Sequence, residues 1–177
     1  MAVTINGSAG VTTNSGAVYN SLQSGTAVSA SGTSIDFTSI PSWVKRITVM
    51  FSGVSTNGTS FVQVQIGSGS VSTSGYVSSA FVVSGAGVSS SSATSGFVLG
   101  GMNVAADVRS GHVLITNISG NIWVASIVIG NGANTTTDVA SVGGGNITLS
   151  GTLDRVRITT VNGTDTFDAG SINIIYE

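Results

Sequence analysis

Cysteine is missing from this chain of 177 residues, and histidine and proline each occur once. A chain without thiols forms no disulfide and no thiolate metal site, and one imidazole is too few ligands for a zinc site. No apolar run approaches the ~20 residues of a membrane-spanning helix, so we predict no membrane insertion. The first residues, MAVTINGSAG, include neither a charged nor a long apolar segment. We therefore expect no signal peptide and synthesis in a cytoplasm.

Charge is also scarce, at 7% of the residues with a formal net charge of −2. Binding to nucleic acid needs a basic stripe, so we exclude a nucleic-acid partner. Apolar residues make up 41% of the chain and alternate with polar ones, which argues against disorder. We expect a folded β-protein whose surface consists of serine, threonine, asparagine and glycine. So few charges suit a subunit of an assembly better than a free monomer.

Residues after the single proline, Pro41, alternate between two faces. Ile47, Val49 and Phe51 fall on one face and Arg46, Thr48 and Met50 on the other, which predicts a strand with one buried face. The dipeptides Asn57-Gly58 and Asn162-Gly163 are typical of tight hairpin turns. Strands that recur about every 8–12 residues without a long helix predict an all-β fold. We expect one antiparallel β-sandwich, jelly-roll-like, over residues 31–177.

The same alternation predicts the core and the loops. Two stretches rich in small polar residues, Val88–Ser95 and Gly130–Gly145, are predicted loops. The predicted core consists of the apolar residues on the buried face of each strand: Phe37, Ile47, Val49, Phe51, Val64, Ile66, Val113, Ile115, Val128, Ile158 and Ile174.

Residues 1–30 are predicted to form an extended arm outside the sandwich. Segments this polar do not bury enough surface to fold alone. We expect the arm to become ordered on a partner by adding a strand to the edge of a sheet. Its apolar residues are the candidate anchors: Val3, Ile5, Val18, Tyr19 and Leu22.

Groups that could perform catalysis are few. Acid–base catalysis needs groups that exchange protons, and nucleophilic catalysis needs a nucleophile beside a base. His112 is the one imidazole, with Asp107 and Arg109 as its neighbours in sequence. A histidine at the start of a strand with one backbone partner is the simpler interpretation. Paired carboxylates and a G-x-S-x-G elbow are not evident, so we predict no enzyme, no catalytic residue and no cofactor.

Two aspartates near the C-terminus are the best candidates for a cation site. Asp165 and Asp168 flank Phe167 in a predicted loop. Calcium takes six to eight oxygen ligands, and these carboxylates do not follow the spacing of an EF-hand. Aspartates that cap backbone amides in a turn are the simpler interpretation, so no metal site is predicted.

Two similar segments, VKRIT and VRIT, contain three basic residues, and a fourth, Arg155, directly precedes the second segment. We interpret these segments as two equivalent strands, and their pairing would bring Lys45, Arg46, Arg155 and Arg157 together. Such a cluster could bind an anionic sugar. The alternatives are structural: salt bridges to Asp154 or Asp36, or pairing across a subunit contact.

Three segments carry a family resemblance: FTSIPSWVKRITVMFSGVS, VQVQIGSGSVSTSGYVSSA and LDRVRITTVNGTDTFDAGSINIIYE. Together they resemble a domain that recurs in virion proteins of tailed bacteriophages and prophages, often as the C-terminal part of tail-fibre-like proteins. The resemblance covers roughly residues 32–177. It implies an all-β virion surface module and a homotrimer. Apolar residues on both faces of some strands fit such an assembly, because subunit contacts would cover them.

The resemblance implies a structural protein displayed on the surface of a virion and made in the host cytoplasm. The first expectation is a tail-fibre or receptor-binding module that contacts a glycan or a protein of the host cell surface. The alternative is a capsid decoration or head-fibre protein that binds the capsid lattice. In either role, the N-terminal arm would attach the β-domain to other virion proteins.

Overall fold

A computed structural model describes residues 3–6, 10–13, 18–19, 22–101, 104–105, 107–133 and 139–177. The described residues form β-strands, turns and irregular segments without a helix. The predicted all-β class is therefore confirmed. None of these residues belongs to a helix that is long and apolar enough to cross a membrane.

The described residues form seventeen strands. The strands up to residue 98 are β1 (Val3–Asn6), β2 (Gly10–Thr13), β3 (Val18–Tyr19), β4 (Gln23–Ser24), β5 (Val28–Ser29), β6 (Ser34–Thr38), β7 (Arg46–Thr56), β8 (Val62–Ser68), β9 (Ser70–Val71), β10 (Val77–Ser84), β11 (Gly87–Ala93) and β12 (Phe97–Val98). Those after it are β13 (Asp107–Ser119), β14 (Ile122–Ala133), β15 (Val139–Thr148), β16 (Arg155–Thr160) and β17 (Phe167–Tyr176).

The strands build two packed sheets and a third, N-terminal one. The large sheet has nine strands in the order β11-β10-β15-β14-β13-β7-β17-β4, and β5 also pairs with β17. The small sheet has five strands in the order β12-β8-β16-β6, with β9 paired to β8. Strands β1, β2 and β3 pair with one another. All of these pairings are antiparallel.

The core lies between the large and the small sheet and confirms the sandwich. Val49 and Val113 of the large sheet and Val64 and Ile158 of the small sheet are fully buried in one cluster. Tyr76 and Phe97 close one part of it with an edge-to-face ring contact at 5.0 Å between ring centres. Burial of apolar side chains from both sheets is the main source of stability in such a fold.

Nine of the eleven predicted core residues are buried, and Phe37 is partly buried against the cluster. The prediction for Val128 is wrong, because its side chain is exposed on the outer surface of the large sheet. In β14 the neighbours Ile127 and Ile129 point inward. A strand that is apolar on both faces does not reveal from its own sequence which face is buried.

The two predicted loops are largely strands. Val88–Ser95 contains all of β11 except its first residue, and β11 pairs with β10 along its length. Gly130–Gly145 contains the end of β14 and most of β15. In β15 a Cβ atom at Gly143 would lie 2.5 Å from the carbonyl oxygen of Ser79, so glycine there lets two strands approach closely.

The last part of the predicted arm lies on the β-domain. Strand β4 pairs with β17 through Ser24 and Ile175, and β5 pairs with it through Val28 and Ile172. The backbone N–H of Ala30 donates to the carbonyl of Gly170 at 2.9 Å. Residues 22–30 therefore complete one edge of the large sheet, whereas β1–β3 form their own sheet.

Candidate functional site

The outward surface of the small sheet carries a shallow groove of about 310 Å³, at the lower end of the range of small-molecule sites. Strands β6, β8 and β16 build its floor. Gln65 lies opposite Arg157, and Thr159 lies between Gln63 and Ser34. Alternation turns these residues outward because Val64 and Ile158 of the same strands point into the core. We call this site the polar groove; its lining includes Ser34, Gln63, Gln65, Ser95, Arg157 and Thr159.

The segment before β12 crosses over two glutamines of the polar groove and fixes one wall. The amide nitrogen of Gln65 donates to the carbonyl oxygen of Ser95 at 2.8 Å. The hydroxyl of Ser95 donates to the amide oxygen of Gln63 at 2.9 Å. A Cβ atom at Gly96 would lie 2.7 Å from that same oxygen, so only glycine allows this close approach without a shift. Both glutamines are consequently buried and held in place.

Arg157 forms the charged edge of the polar groove. Its Nε and Nη2 atoms each donate to a carboxylate oxygen of Asp36 at 2.7 Å. Both side chains are about one third exposed, so a ligand can reach them. The hydrogen bond with Asp36 raises the pKa of the Arg157 guanidinium above its ordinary value.

A second ion pair lies on the same strand, next to the groove. The Nε and Nη2 atoms of Arg155 donate to Asp154 at 2.7 and 3.0 Å. The hydrogen bond with Arg155 is the largest cause of the lowered pKa of Asp154. The salt bridges predicted as the structural alternative are thus confirmed for both arginines, and each positive charge has its own carboxylate.

The four basic residues do not form the cluster that pairing of their two strands would have produced. Its two segments become β7 of the large sheet and β16 of the small sheet, which do not pair. Lys45 donates to the side-chain oxygen of Asn117 at 3.4 Å, and Arg46 pairs with Glu177. Similar sequences therefore mark similar strands in different sheets, so the condition for a basic cluster that binds an anionic sugar is not met.

His112 lies away from the two charged residues that precede it. It is in the middle of β13, not at the start of a strand, and its side chain is exposed. Asp107 and Arg109 on the same strand are buried on the inward face. Alternation places residues 107 and 109 on one face of β13 and residue 112 on the other. The structure therefore does not bring an acid–base group to this imidazole from its own strand.

Asp107 and Arg109 form a buried ion pair that the sequence analysis did not identify. The Nη2 atom of Arg109 lies 3.2 Å from Oδ2 of Asp107, and the two side chains are 1% and 4% exposed. Burial lowers the pKa of Arg109 from its ordinary value, and the charge of Asp107 opposes that shift. The sequence contains a signal for this pair. Residues 107 and 109 alternate in phase with the core residues Val113 and Ile115, which places both charges on the buried face of the strand.

The two candidate cation ligands have separate hydrogen-bond partners. Asp165 accepts from the side-chain nitrogen of Asn162 at 2.6 Å and from the backbone N–H of Ser60 at 2.9 Å. These bonds lower the pKa of Asp165, with that of Asn162 the larger cause. Asp168 is in β17 rather than a loop and accepts from the hydroxyl of Ser55. No group of three or more potential metal ligands occurs in the part of the chain that the structure describes.

Four of the five candidate attachment residues lie in β1 and β3, and the fifth lies just before β4. Val3 and Ile5 belong to β1, and Val18 and Tyr19 form β3. The surroundings of these four side chains lie outside the described part of the structure. Leu22, just before β4, is 57% exposed. It is therefore accessible to a partner, as an anchor must be.

The fold and the groove define a class: an antiparallel β-sandwich with a shallow, polar, hydrogen-bonding site on its small sheet. No protein-family model, curated protein or solved structure matches the chain. The family resemblance in the sequence therefore rests on the motifs themselves.

Proposed function

We propose that the protein is a structural protein of a bacteriophage virion, displayed on the particle surface as a tail-fibre or receptor-binding module. The observation that carries this proposal is the polar groove, a preformed site on a rigid sheet. The resemblance of three long segments to tail-fibre-like domains supports the same role. The protein would be made in the host cytoplasm and would act on the virion without catalysis.

The ligand that suits the polar groove is a neutral sugar of a host surface glycan. Its hydroxyls both donate and accept hydrogen bonds, which matches a lining of hydroxyl, amide and guanidinium groups. Asp36 neutralises Arg157, so the groove offers directional hydrogen bonds rather than net positive charge. The alternative ligand for a receptor-binding module is a protein on the host cell surface.

Assembly of the protein and its attachment to the particle would involve other parts of the chain. We propose that the chain works as a homotrimer and that residues 1–21, with β1–β3 and the anchors Val3, Ile5, Val18 and Tyr19, attach it to other virion proteins. Leu22 lies at the junction with the β-domain, where its exposed side chain can join the same contact.

Immunogold labelling of intact particles tests the location. We expect label at the tail tip, at a copy number divisible by three. Label spread over the capsid would overturn the tail assignment and support the alternative, a capsid decoration or head-fibre protein. Particles without label would overturn the virion proposal.

A competition experiment tests the groove. We expect purified full-length protein to bind host cells and to reduce phage adsorption, and Arg157→Ala to weaken that binding at least tenfold. Arg155→Ala is the matched control, since it removes a neighbouring ion pair on the same strand outside the groove lining. Equal binding by the two variants would show that the groove is not the receptor site.

A further inference from the structure

The outward surface of the large sheet holds a continuous row of side chains across five neighbouring strands. Met50 of β7 lies opposite His112 of β13, and His112 lies opposite Val128 of β14. Val142 of β15 and Phe81 of β10 continue the row. Four of the five residues are apolar and the fifth is His112, and we call this row the apolar stripe. The row is straight because antiparallel partners share the same face of the sheet.

The apolar stripe is exposed in the single chain. Val128, Phe81 and Val142 are 52%, 49% and 45% exposed. Val83 and Val88, paired across β10 and β11, add two more exposed apolar side chains beside it. Monomeric proteins rarely expose contiguous apolar patches of this kind, and larger ones mark interaction sites. An exposed row of this kind is the type of surface that another molecule covers.

The apolar stripe contains no Asp, Glu, Lys or Arg, and His112 is its one titratable side chain. The sequence contains no Asp, Glu, Lys or Arg between Arg46 and Asp107, nor between Arg109 and Asp138. The rows beside the stripe present small or uncharged residues such as Thr48, Leu114 and Ser126. Anionic glycans, nucleic acids and acidic lipid surfaces need positive counter-charges. The partner that fits is equally uncharged and apolar, and the same surface on a second copy has those properties.

The size of the surface agrees with a copy-to-copy contact. Six successive strands of the large sheet form this surface, in the order β7, β13, β14, β15, β10 and β11. At ~4.8 Å between strands and about four outward residues per strand, they present roughly 700 Å². A stable interface buries about 800 Å² on each partner. A sheet surface with alternating side chains also packs face to face on another sheet, as the two layers of a sandwich do.

We propose that the apolar stripe is the centre of an interface between copies of this chain. The proposal rests on the assembly suggested under Proposed function and assigns its contact surface. It leaves the polar groove, on the opposite sheet, free to face a ligand. The Val128 side chain lies in the middle of the stripe and would be buried on assembly.

Light scattering of purified full-length protein tests the proposal. At ~10 μM chain, where even a micromolar Kd populates a complex, we expect a mass of three times 17.5 kDa, that of the proposed homotrimer. Val128→Asp should weaken association by about 30-fold or more, as loss of a hot-spot residue does. Val161→Asp is the matched control, because this 43% exposed valine follows β16 of the other sheet. A wild-type monomer, or a Val128→Asp oligomer as stable as the control, would overturn the interface.

Cross-linking provides a second test, which does not depend on whether the aspartate variant folds. The natural chain has no cysteine, so Val128→Cys and Val161→Cys each carry one thiol. We expect a bifunctional maleimide to link chains through residue 128 at least tenfold faster than through residue 161. Equal rates would contradict the proposal. Particle labelling is unaffected by either result, so failure of the interface and failure of the virion role can be told apart.

Discussion

The phenol oxygen of Tyr76 lies 2.7 Å from the backbone nitrogen of Ile66 and 3.1 Å from the carbonyl oxygen of the same residue. One buried hydroxyl thus accepts from and donates to a single peptide position in β8. The ring of Tyr76 packs edge-on against Phe97 of β12. These contacts fix the start of β10 against β8, the strand that also carries Gln65 of the polar groove.

Tyr76→Phe should destabilise the protein by about 1–3 kcal/mol, because a buried Ile66 N–H loses its acceptor. The phenylalanine ring keeps the edge-to-face contact with Phe97, so the change isolates the hydroxyl. Urea unfolding of the variant and the natural chain gives the difference in free energy of unfolding. An unchanged unfolding midpoint would mean that the backbone relaxes to satisfy Ile66 in another way.

The same hydroxyl predicts how stability depends on alkaline pH. Burial raises the pKa of Tyr76 from its ordinary value of 10.0, and the hydrogen bond to Ile66 opposes this only in part. The unfolded chain therefore loses the proton at lower pH than the folded chain. The contribution to stability is complete below about pH 10 and decreases as the pH rises above it. We expect a larger fall in the urea midpoint between neutral and alkaline pH for the natural chain than for Tyr76→Phe.

The layers of the fold could be predicted from the sequence because alternation is local. Ile47 and Val49 in β7, or Val64 and Ile66 in β8, show a clear apolar face, and they are buried. The signal fails in β14, where both faces are apolar, and Val128 was assigned to the wrong one. It also fails in β11, where serines give no apolar face and pairing with β10 through backbone hydrogen bonds decides the structure.

The polar groove could not be predicted, because distant segments build it. Asp36, Gln65 and Arg157 meet only because β6 and β8 both pair with β16. Sequence analysis named Asp36 and Arg157 as a potential salt bridge, which chemistry alone suggests. The register that places Gln65 beside them depends on the topology of the small sheet, and no local pattern encodes that topology.

Loss of one charge of the buried pair Asp107 and Arg109 should destabilise the protein more than loss of both. Asp107→Leu removes the carboxylate 3.2 Å from the buried guanidinium, and breaking such a pair costs about 3–5 kcal/mol. The double variant Asp107→Leu/Arg109→Met removes both charges, and we expect it to recover most of that loss. Chemical denaturation of the three proteins checks this. A double variant as unstable as the single one would contradict the charge-burial explanation.

Glycine at position 143 should be required by packing rather than by backbone conformation. In Gly143→Ala the new Cβ would lie 2.5 Å from the carbonyl oxygen of Ser79, and overpacking of this kind costs about 1–3 kcal/mol. Gly130→Ala is the matched control in the neighbouring strand, since its nearest contact would be an ordinary 3.7 Å. We expect thermal unfolding to show a lower Tm for Gly143→Ala alone. Equal Tm values would show that β10 and β15 can separate without loss.

Truncation at two positions should separate attachment from folding. Removing residues 1–21 leaves β4 and β5 paired with β17, so we expect normal unfolding and normal assembly but no incorporation into particles. Removing residues 1–30 also deletes those pairings and the buried Ala30, which exposes one edge of the large sheet. That shorter protein should be less stable or prone to aggregation, because unprotected sheet edges recruit other chains.

Quantitative blotting of purified virions, beside urea unfolding of the isolated proteins, distinguishes the two effects. The first truncation should be absent from particles at unchanged stability, which would assign attachment to β1–β3 and their flanking residues. Its presence at normal copy number would move the attachment site onto the β-domain. In that case Leu22, the exposed candidate anchor that both the first truncation and the natural chain retain, would be the next residue to substitute.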